Sequence, residues 1–184
     1  MLDALILRQP KAMSPGIPMK QRGLTLIELM MTVAILAILL LVGVPSFNDF
    51  LAKGRLVGAA EALAQDLQLA RSEALRSNAA VTLGLVSGNA WCYGSVPGNV
   101  ACDCNAPNAC TLRRVGSADY RGVTMGAPTF AGNAVTFTAQ PGPTNAGAVE
   151  FTHTSAGTLR VSLGAGGQVS VCSTSGALSH LRAC

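Results

Sequence analysis

Arg22-Gly23-Leu24-Thr25-Leu26-Ile27-Glu28 is the most informative segment of the chain, because a basic flank there is followed by an apolar segment that contains one acid. Between Leu24 and Val44 the only ionisable side chain is Glu28. A helix of this length, at 1.5 Å rise per residue, spans the roughly 30 Å of a hydrocarbon core. A carboxylate inside such a segment costs about 2.5–3.5 kcal/mol on insertion scales, so we expect it to have a specific role. The alternative is an ordinary membrane anchor with an acid that snorkels to the interface.

The segment Gly23-Leu24-Thr25-Leu26-Ile27-Glu28-Leu29 resembles the prepilin-peptidase site of type IV pilins and type II secretion pseudopilins. The resemblance implies that prepilin peptidase cleaves between Gly23 and Leu24, and that the new N-terminus at Leu24 is N-methylated. It further implies that Glu28 is an assembly contact, which pairs with the N-terminal amine of a neighbouring subunit. Pro45 falls where many pilins carry a proline that bends the helix.

On this resemblance the chain has four parts. Residues 1–23 are a cleaved class III leader, 24–45 a transmembrane helix segment, 46–78 an amphipathic helix half and 79–184 a periplasmic β-rich domain. The protein is then a single-pass protein of the bacterial inner membrane, with its C-terminal domain in the periplasm, that is incorporated into a pilus or pseudopilus.

The positive charge of the chain is concentrated in the leader. The net charge is +4 at pH 7, with 13 basic and 9 acidic residues. The leader holds most of this excess in four basic residues against one acid: Arg8, Lys11, Lys20, Arg22 and Asp3. The remaining chain is nearly neutral, so the basic pI is no argument for a nucleic-acid partner. It fits the tendency of basic residues to stay on the cytoplasmic side of an apolar segment.

The helical pattern continues beyond the apolar segment, from Phe47 to Asn78. Apolar residues recur there at spacings of three and four: Leu51, Leu56, Ala59, Ala60, Leu63, Leu67, Ala70 and Ala74. Charged residues lie between them: Lys53, Arg55, Glu61, Asp66, Glu73 and Arg76. This pattern predicts an amphipathic helix whose charged face is exposed to solvent. Gly43, Pro45, Gly54 and Gly58 predict a locally weakened helix, because glycine and proline disfavour helix interiors.

After Asn78 the composition shifts towards Gly, Thr, Val, Ser and Asn. Seven short runs have strand character: Val81–Val86, Leu112–Val115, Gly122–Met125, Ala134–Thr138, Ala148–Thr152, Thr158–Leu163 and Gln168–Cys172. Turn residues separate these runs, and alternation such as that of Leu159, Val161 and Leu163 indicates half-buried antiparallel strands. We therefore predict an α+β, pilin-like fold, with a long N-terminal helix packed on a small antiparallel β-sandwich.

All six cysteines lie beyond the apolar segment. An even number of cysteines outside the cytoplasm predicts disulfide bonds. Cys172 and Cys184 close a short C-terminal loop, whereas Cys92, Cys102, Cys104 and Cys110 lie within one loop region whose pairing stays open. Cys102 and Cys104 are too close in the chain to pair readily with each other. A metal site formed by Cys102, Asp103, Cys104 and Cys110 is the weaker alternative, because C-x-x-C spacing and a nearby histidine are absent.

Nothing in the sequence indicates an enzyme or a cofactor. His153 and His180 are the only histidines, and no G-x-S-x-G, H-E-x-x-H or P-loop motif accompanies them. The stretch from His153 to Gly157 is typical of a hairpin turn. We expect no catalytic residues, no metal and no cofactor.

Within the pilin superfamily, the chain is similar to the family of FimT, FimU and type II secretion system protein H (GspH). The residues that carry this similarity are Ala64-Gln65-Asp66-Leu67-Gln68-Leu69-Ala70-Arg71-Ser72-Glu73-Ala74, Asn78 and Val81-Thr82-Leu83. The resemblance implies a structural minor pilin or pseudopilin that helps prime or cap a type IV pilus or a type II secretion pseudopilus. Its partners would be other pilins or pseudopilins, the inner membrane and prepilin peptidase.

DNA binding at the filament tip, for natural transformation, is the alternative function. Some FimT proteins bind DNA through a Gly-Arg-x-Arg motif near the C-terminus, where this chain has Ser179-His180-Leu181-Arg182. Arg182 and His180 are therefore candidate DNA-binding residues, although the glycine and the first arginine of the motif are replaced. Arg113, Arg114, Arg121 and Arg160 would add charge if they folded onto the same face. A solvated β surface is the simpler interpretation of these arginines.

Overall fold

The computed structural model describes residues 23–139, 145–175, 178 and 181–184. The chain divides into two compact units, Met1–Leu41 and Val42–Cys184. In the first unit, residues 23–41 are exposed. The second unit holds the core.

One helix, α1, runs from Leu26 to Ser77. At its start, Thr25 accepts a hydrogen bond on Oγ1 from the backbone N–H of Glu28, at 3.3 Å, which satisfies one of the free donors of the first turn. At its end, Asn78 takes a left-handed conformation (φ 50°), and the N–H of Ala79 bonds the carbonyl of Ala74 at 3.3 Å. This arrangement closes a helix at an asparagine or glycine.

The buried face of α1 agrees with the predicted apolar face at seven of eight positions: Leu56, Ala59, Ala60, Leu63, Leu67, Ala70 and Ala74. The prediction was wrong for Leu51, which is exposed, and Ala52 lies in the core instead. It was also wrong for Asp66, which is only 6% exposed although it was placed on the solvated face. Hydrogen bonds to neighbouring polar groups compensate the burial of its carboxylate.

Eight strands form two antiparallel sheets. Their bounds are β1 Val81–Val86, β2 Cys92–Pro97, β3 Arg113–Gly116, β4 Val123–Met125, β5 Ala134–Phe137, β6 Gly147–His153, β7 Gly157–Leu163 and β8 Val169–Ser173. A 3-10 turn at Ala131–Asn133 precedes β5. The first sheet has the strand order β3-β2-β1-β5 and the second β4-β6-β7-β8. The predicted α+β architecture is confirmed.

Seven of the strands match the predicted runs, and β2 was missed. Its first four residues are all buried, because Tyr93 faces the core while Gly94, on the other face, lies under the loop that follows the strand. A strand covered on both faces does not show the alternation that marks a half-buried strand. Gly94 and Pro97 are also atypical of strands, so the local signal was that of a loop.

The second unit has one continuous core, which joins α1 to both sheets. The largest fully buried side chains are Trp91, which directly precedes β2, and Tyr93, Phe137 and Phe151 of the two sheets, followed by leucines of α1: Leu56, Leu63 and Leu67. The ring of Trp91 stacks on Tyr93 and Tyr120 and meets the edge of Phe151 at 5.3 Å between ring centroids. The Trp91 indole N–H donates to the carbonyl of Val123 at 2.8 Å, so its polar atom is satisfied inside the core.

Candidate functional site: the helix start and the surfaces of the β domain

Gly23 and Leu24 lie just before the first turn of α1. Leu24 is exposed, and Glu28 is the acid of the first turn. A carboxylate there is favoured by the partial positive charge of the helix N-terminus. Thr25 and Glu28 also have the Thr-x-x-Glu spacing of a capping box, a signal that the sequence analysis missed.

Among the described residues, α1 is the helix long and apolar enough to cross a membrane. Helical backbone continues through positions 43–58, where a weakened helix was predicted. Gly58 has a packing reason, since a Cβ there would lie 3.1 Å from Cε1 of Tyr120. A Cβ at Gly43 or Gly54 would meet nothing within 4 Å. The side chain of Pro45 is not among those that the structure describes, so the helix kink expected at this residue stays a prediction.

Three disulfide bonds join all six cysteines, which confirms the predicted disulfides: Cys92–Cys104, Cys102–Cys110 and Cys172–Cys184. The prediction that placed Cys92 in the loop region was wrong, because Cys92 begins β2. We call residues 98–112 the cap loop: the Cys102–Cys110 bond lies within it, and the Cys92–Cys104 bond connects it to the start of β2. Within the described ranges, no group of three or more His, Cys, Asp or Glu residues is placed to hold a metal ion.

The cap loop lies on a glycine pair in the first sheet. Gly84 of β1 is directly opposite Gly94 of β2. A Cβ on Gly84 would lie 2.9 Å from Cβ of Ala101, and a Cβ on Gly94 would lie 2.7 Å from Cβ of Cys110 and in contact with its Sγ. The absence of two side chains therefore lets the Cys102–Cys110 disulfide pack directly on the backbone of the sheet.

Asp66 links α1 to the first sheet. Its Oδ2 accepts hydrogen bonds from the hydroxyl of Tyr93 at 2.9 Å and from Nε of Arg113 at 3.3 Å. Burial, together with the neighbouring Asp66 carboxylate, raises the pKa of Tyr93 far above its usual range, so the phenol is held protonated. The network thus places one buried acceptor between a neutral donor and a half-exposed cation.

Arg71 links the same helix to the second sheet. Its Nη1 donates to the carbonyl of Gly167 at 2.9 Å, in the turn between β7 and β8. Gly167 has φ 77°, a conformation that favours glycine. Glu73 instead pairs with Arg76 at 2.6 Å, and this hydrogen bond lowers the pKa of Glu73. Asp66 and Arg71 both belong to the helix segment 64–74, which carries the family resemblance. This segment therefore attaches α1 to both sheets, a role that the apolar spacing of the helix did not reveal.

The candidate arginines do not gather on one face. Arg113 and Arg114 are on β3 of the first sheet, whereas Arg160 is on β7 of the second. Arg113 bonds Asp66, Nε of Arg114 donates to the carbonyl of Cys104 at 2.6 Å, and Arg160 pairs with Glu150 at 2.7 Å. Arg121 is exposed after β3.

The C-terminal residues run beside the edge strand β8. Ala183 forms a parallel bridge with Ser173, whose N–H donates to the carbonyl of Arg182 at 2.8 Å. Arg182 is exposed, and His180 lies outside the described residues. Arg160 is directly opposite Cys172 on β8. The segment that carries Arg182 lies on the other side of β8 from β7. The backbone of Arg182 is therefore about two strand spacings, or ~10 Å, from that of Arg160.

His153 ends β6, and Gly157 begins β7 directly opposite it, so the predicted hairpin turn is confirmed. Its Nδ1 accepts a hydrogen bond from the N–H of Ser155 at 3.3 Å. This contact belongs to the turn. It gives no reason to assign the histidine a catalytic role.

Comparison with known proteins gives two family matches and two similar structures. The chain matches the family described as Type II transport protein GspH over residues 59–175, and the prokaryotic N-terminal methylation motif over residues 18–44. It is similar to the Pseudomonas aeruginosa (strain PAO1) type IV minor pilin FimU in two crystal forms. The P21 form is 23% identical, with 66% of this chain and 91% of that chain covered and a TM-score of 0.48. The P65 form is 26% identical, with 63% and 91% covered and a TM-score of 0.43.

No curated protein sequence matches the chain. The methylation motif contains Gly23, Leu24 and Glu28, and it implies processing by prepilin peptidase and assembly with other pilins. The apolar helix that follows indicates a membrane-anchored protein. The GspH match covers more than half of the chain and confirms the predicted resemblance, so this protein belongs to the GspH family of minor pilins and pseudopilins.

Proposed function

We propose that this protein is a minor subunit that helps prime or cap the assembly of a type IV pilus or a type II secretion pseudopilus. Residues 1–23 would be removed as a leader, and residues 24–45 would anchor the chain in the bacterial inner membrane. The remaining helix half (46–78) and the β domain (79–184) would then lie in the periplasm. The observation that carries the proposal is the single acid, Glu28, in the first turn of an exposed apolar helix.

The chemistry of this acid favours pairing between subunits. A carboxylate in hydrocarbon is stabilised when an opposite charge is desolvated beside it. Cleavage after Gly23 would create a positive amine on Leu24, a few residues before Glu28. In a single subunit the first turn of α1 keeps the acid exposed, so an amine of a neighbouring subunit can approach it. One acid per subunit then suffices for one contact per subunit.

Replacement of Glu28 tests this proposal. We expect Glu28→Ala to reduce incorporation into the filament while membrane insertion is unchanged, because the apolar segment itself remains. Glu61→Ala is the matched control, since it removes an exposed acid from the same helix outside the apolar segment. Incorporation is measured as the fraction of the protein that co-purifies with sheared filaments. Normal incorporation of Glu28→Ala would refute the assembly role.

A deletion strain separates the two machines. Loss of surface pili would assign the protein to a type IV pilus, and loss of exoprotein release would assign it to a secretion system. The same strain, complemented in turn with the wild type and Glu28→Ala, links either phenotype to the assembly contact.

DNA binding is a second candidate, favoured by the exposed Arg182 on a segment fixed beside β8 and closed by Cys172–Cys184. Such an arginine is positioned to contact a phosphate, whose contribution falls with salt concentration. We expect any DNA binding by the purified protein to weaken with salt and to be lost in Arg182→Ala. Arg121→Ala is the matched control for an exposed arginine elsewhere. Absence of binding at low salt would remove DNA from the function.

A further inference from the structure

The two disulfide bonds of the cap loop are crossed in the order of the sequence. Of the four cysteines, the first bonds the third and the second bonds the fourth, as Cys92–Cys104 and Cys102–Cys110. We call this arrangement the crossed pairing, and its alternative, Cys92–Cys102 with Cys104–Cys110, the consecutive pairing. The remaining arrangement needs a bond between Cys102 and Cys104, which are too close in the chain to pair readily. Formation of the cap loop is therefore a choice between the crossed and the consecutive pairing.

The lengths of the closed loops favour the consecutive pairing in an unfolded chain. The crossed bonds join cysteines 12 and 8 residues apart, whereas the consecutive bonds would join cysteines 10 and 6 residues apart. Because the probability of closing a flexible loop falls with the 3/2 power of its length, the unfolded chain should form the consecutive pairing about twice as often as the crossed one. Oxidation before folding would thus leave about two thirds of the chains mispaired.

The contacts that select the crossed pairing come from the folded first sheet. Gly94 of β2 leaves the space that Cys110 occupies, since a Cβ on this glycine would lie 2.7 Å from Cβ of Cys110. Arg114 of β3 lies directly opposite Gly94, and its Nε donates to the carbonyl of the fully buried Cys104 at 2.6 Å. Cys104 is therefore held at the start of β2, beside Cys92, by a strand pairing that bonds formed earlier do not have.

A mispaired chain has no thiol of its own with which to correct the error. The chain has six cysteines, and all six are bonded in the folded protein. Disulfide exchange begins with the attack of a thiolate on a disulfide sulfur. Once the consecutive bonds and Cys172–Cys184 have formed, every sulfur of the six cysteines is in a disulfide. The attacking thiolate must then come from another molecule.

We infer that this chain is a substrate of a thiol–disulfide isomerase, a partner protein whose reactive thiolate converts the consecutive pairing into the crossed pairing. The inference rests on the part of the proposed function that places the β domain in the periplasm, where disulfides form. Nothing else in the proposed assembly role enters it.

The exchange balances without any net oxidant or reductant. The thiolate of the isomerase attacks Sγ of Cys102, which breaks Cys92–Cys102, forms a mixed disulfide and releases the thiolate of Cys92. That thiolate attacks Sγ of Cys104 and releases the thiolate of Cys110. The thiolate of Cys110 then attacks Sγ of Cys102 in the mixed disulfide, which completes the crossed pairing and returns the thiolate of the isomerase. Cys92 and Cys104 are both buried in the product, so further attack on their bond is blocked.

Asp103 provides a direct measurement, because it lies between Cys102 and Cys104. After free thiols are alkylated, a protease that cleaves before aspartate divides this region into residues 66–102 and 103–118. Each consecutive bond lies within one of these fragments, so without reductant the fragments separate. The crossed bonds keep the fragments joined. Mass spectrometry of the joined and separate fragments gives the fraction of each pairing.

Refolding of the full-length protein tests the inference. The reduced, unfolded protein is diluted into detergent that contains an excess of diamide, and we expect the fragments to separate in about two thirds of the chains. A reduced disulfide isomerase, added after the diamide is removed, should raise the joined fraction above about nine tenths, and the same isomerase with alkylated thiols should not change it. A joined fraction above nine tenths before the isomerase is added, or no conversion by the active isomerase, would overturn the inference.

The same measurement applies in cells. Protein made in a strain that lacks periplasmic disulfide isomerases should give mostly separate fragments, whereas protein from the parent strain should give joined ones. Equal fractions in the two strains would also overturn the inference.

The double variant Cys102→Ser/Cys110→Ser is the matched control. It keeps Cys92–Cys104 and removes both competing cysteines from the cap loop, so its fragments should be joined with or without the isomerase. Dependence of this variant on the isomerase would show an effect on folding and not on pairing. The measurement needs no filament, so the inference and the assembly role fail separately: isomerase-independent pairing removes the former, and normal incorporation of Glu28→Ala removes the latter.

Discussion

The hydrogen bond between Asp66 and Tyr93 should carry a measurable part of the stability of the β domain. Tyr93 is fully buried, and its hydroxyl lies 2.9 Å from the carboxylate of Asp66, which is itself 6% exposed. A hydrogen bond to a charged group contributes about 1.5–3 kcal/mol, and a buried donor left without a partner costs about 1–3 kcal/mol. The pair therefore connects α1 to the first sheet in a place where water cannot replace the lost partner.

We expect Asp66→Ala to lower the free energy of unfolding by about 2–3 kcal/mol, after allowance for the better helix propensity of alanine. Tyr93→Phe should cost about 2 kcal/mol, because Asp66 keeps its contact with the half-exposed Arg113. The double variant should show a coupling energy of about 2 kcal/mol. Asp66→Asn, which retains an acceptor oxygen, should lose less than Asp66→Ala.

Urea unfolding of the disulfide-intact protein, followed by the fluorescence of Trp91, measures these values. The probe is suitable because Trp91 is the single tryptophan, is buried and stacks on Tyr93. Glu73→Ala is the control and should cause no measurable change, since it removes an exposed ion pair with Arg76. A coupling energy within about 0.5 kcal/mol of zero would refute the reasoning that the two side chains form one buried contact.

Two further predictions follow from the packing. Because the pKa of Tyr93 is raised in the folded state, its neutral form contributes fully to stability below about pH 10, the pKa of an unfolded tyrosine, and above that pH the free energy of unfolding falls by about 1.4 kcal/mol per pH unit. Unfolding measured at a series of alkaline pH values should show a smaller slope in Tyr93→Phe than in the wild type. An equal slope in the two proteins would contradict the prediction. Gly94→Ala should destabilise the domain by about 1–3 kcal/mol, because its Cβ would overlap Cys110, whereas Gly54→Ala should stabilise it by about 0.5–1 kcal/mol, since its Cβ meets open space in a helix. Urea midpoints check both substitutions, and peptide mapping without reductant shows whether Cys110 still forms its disulfide.

Local patterns in the sequence were sufficient where one face of an element meets water. The buried positions of α1 follow from apolar spacing, and seven strands follow from short β-rich runs between turn residues. The same reasoning failed where burial depends on a distant segment. β2 looked like a loop because the cap loop covers its outer face, and Asp66 looked solvated because its partners, Tyr93 and Arg113, come from strands far along the chain.

The candidate functional residues also divide into those that local sequence identifies and those that only the fold brings together. Gly23, Leu24 and Glu28 are recognisable without any tertiary contact, because the N-terminal methylation motif that contains them is one contiguous segment. The pairing of Cys92 with Cys104 and of Cys102 with Cys110 required the fold, since several pairings satisfy the spacing in the sequence. The fold likewise separated Arg113 from Arg160 by placing them in different sheets.

The family, the apolar helix with its single acid, and the α+β class all follow from the amino-acid sequence, because each depends on the periodicity or composition of neighbouring residues. The attachment of α1 to the two sheets through Asp66 and Arg71, and the exposure of particular leucines such as Leu112, are visible only in the folded chain. Those features depend on distances between residues remote in the chain, which local spacing does not encode.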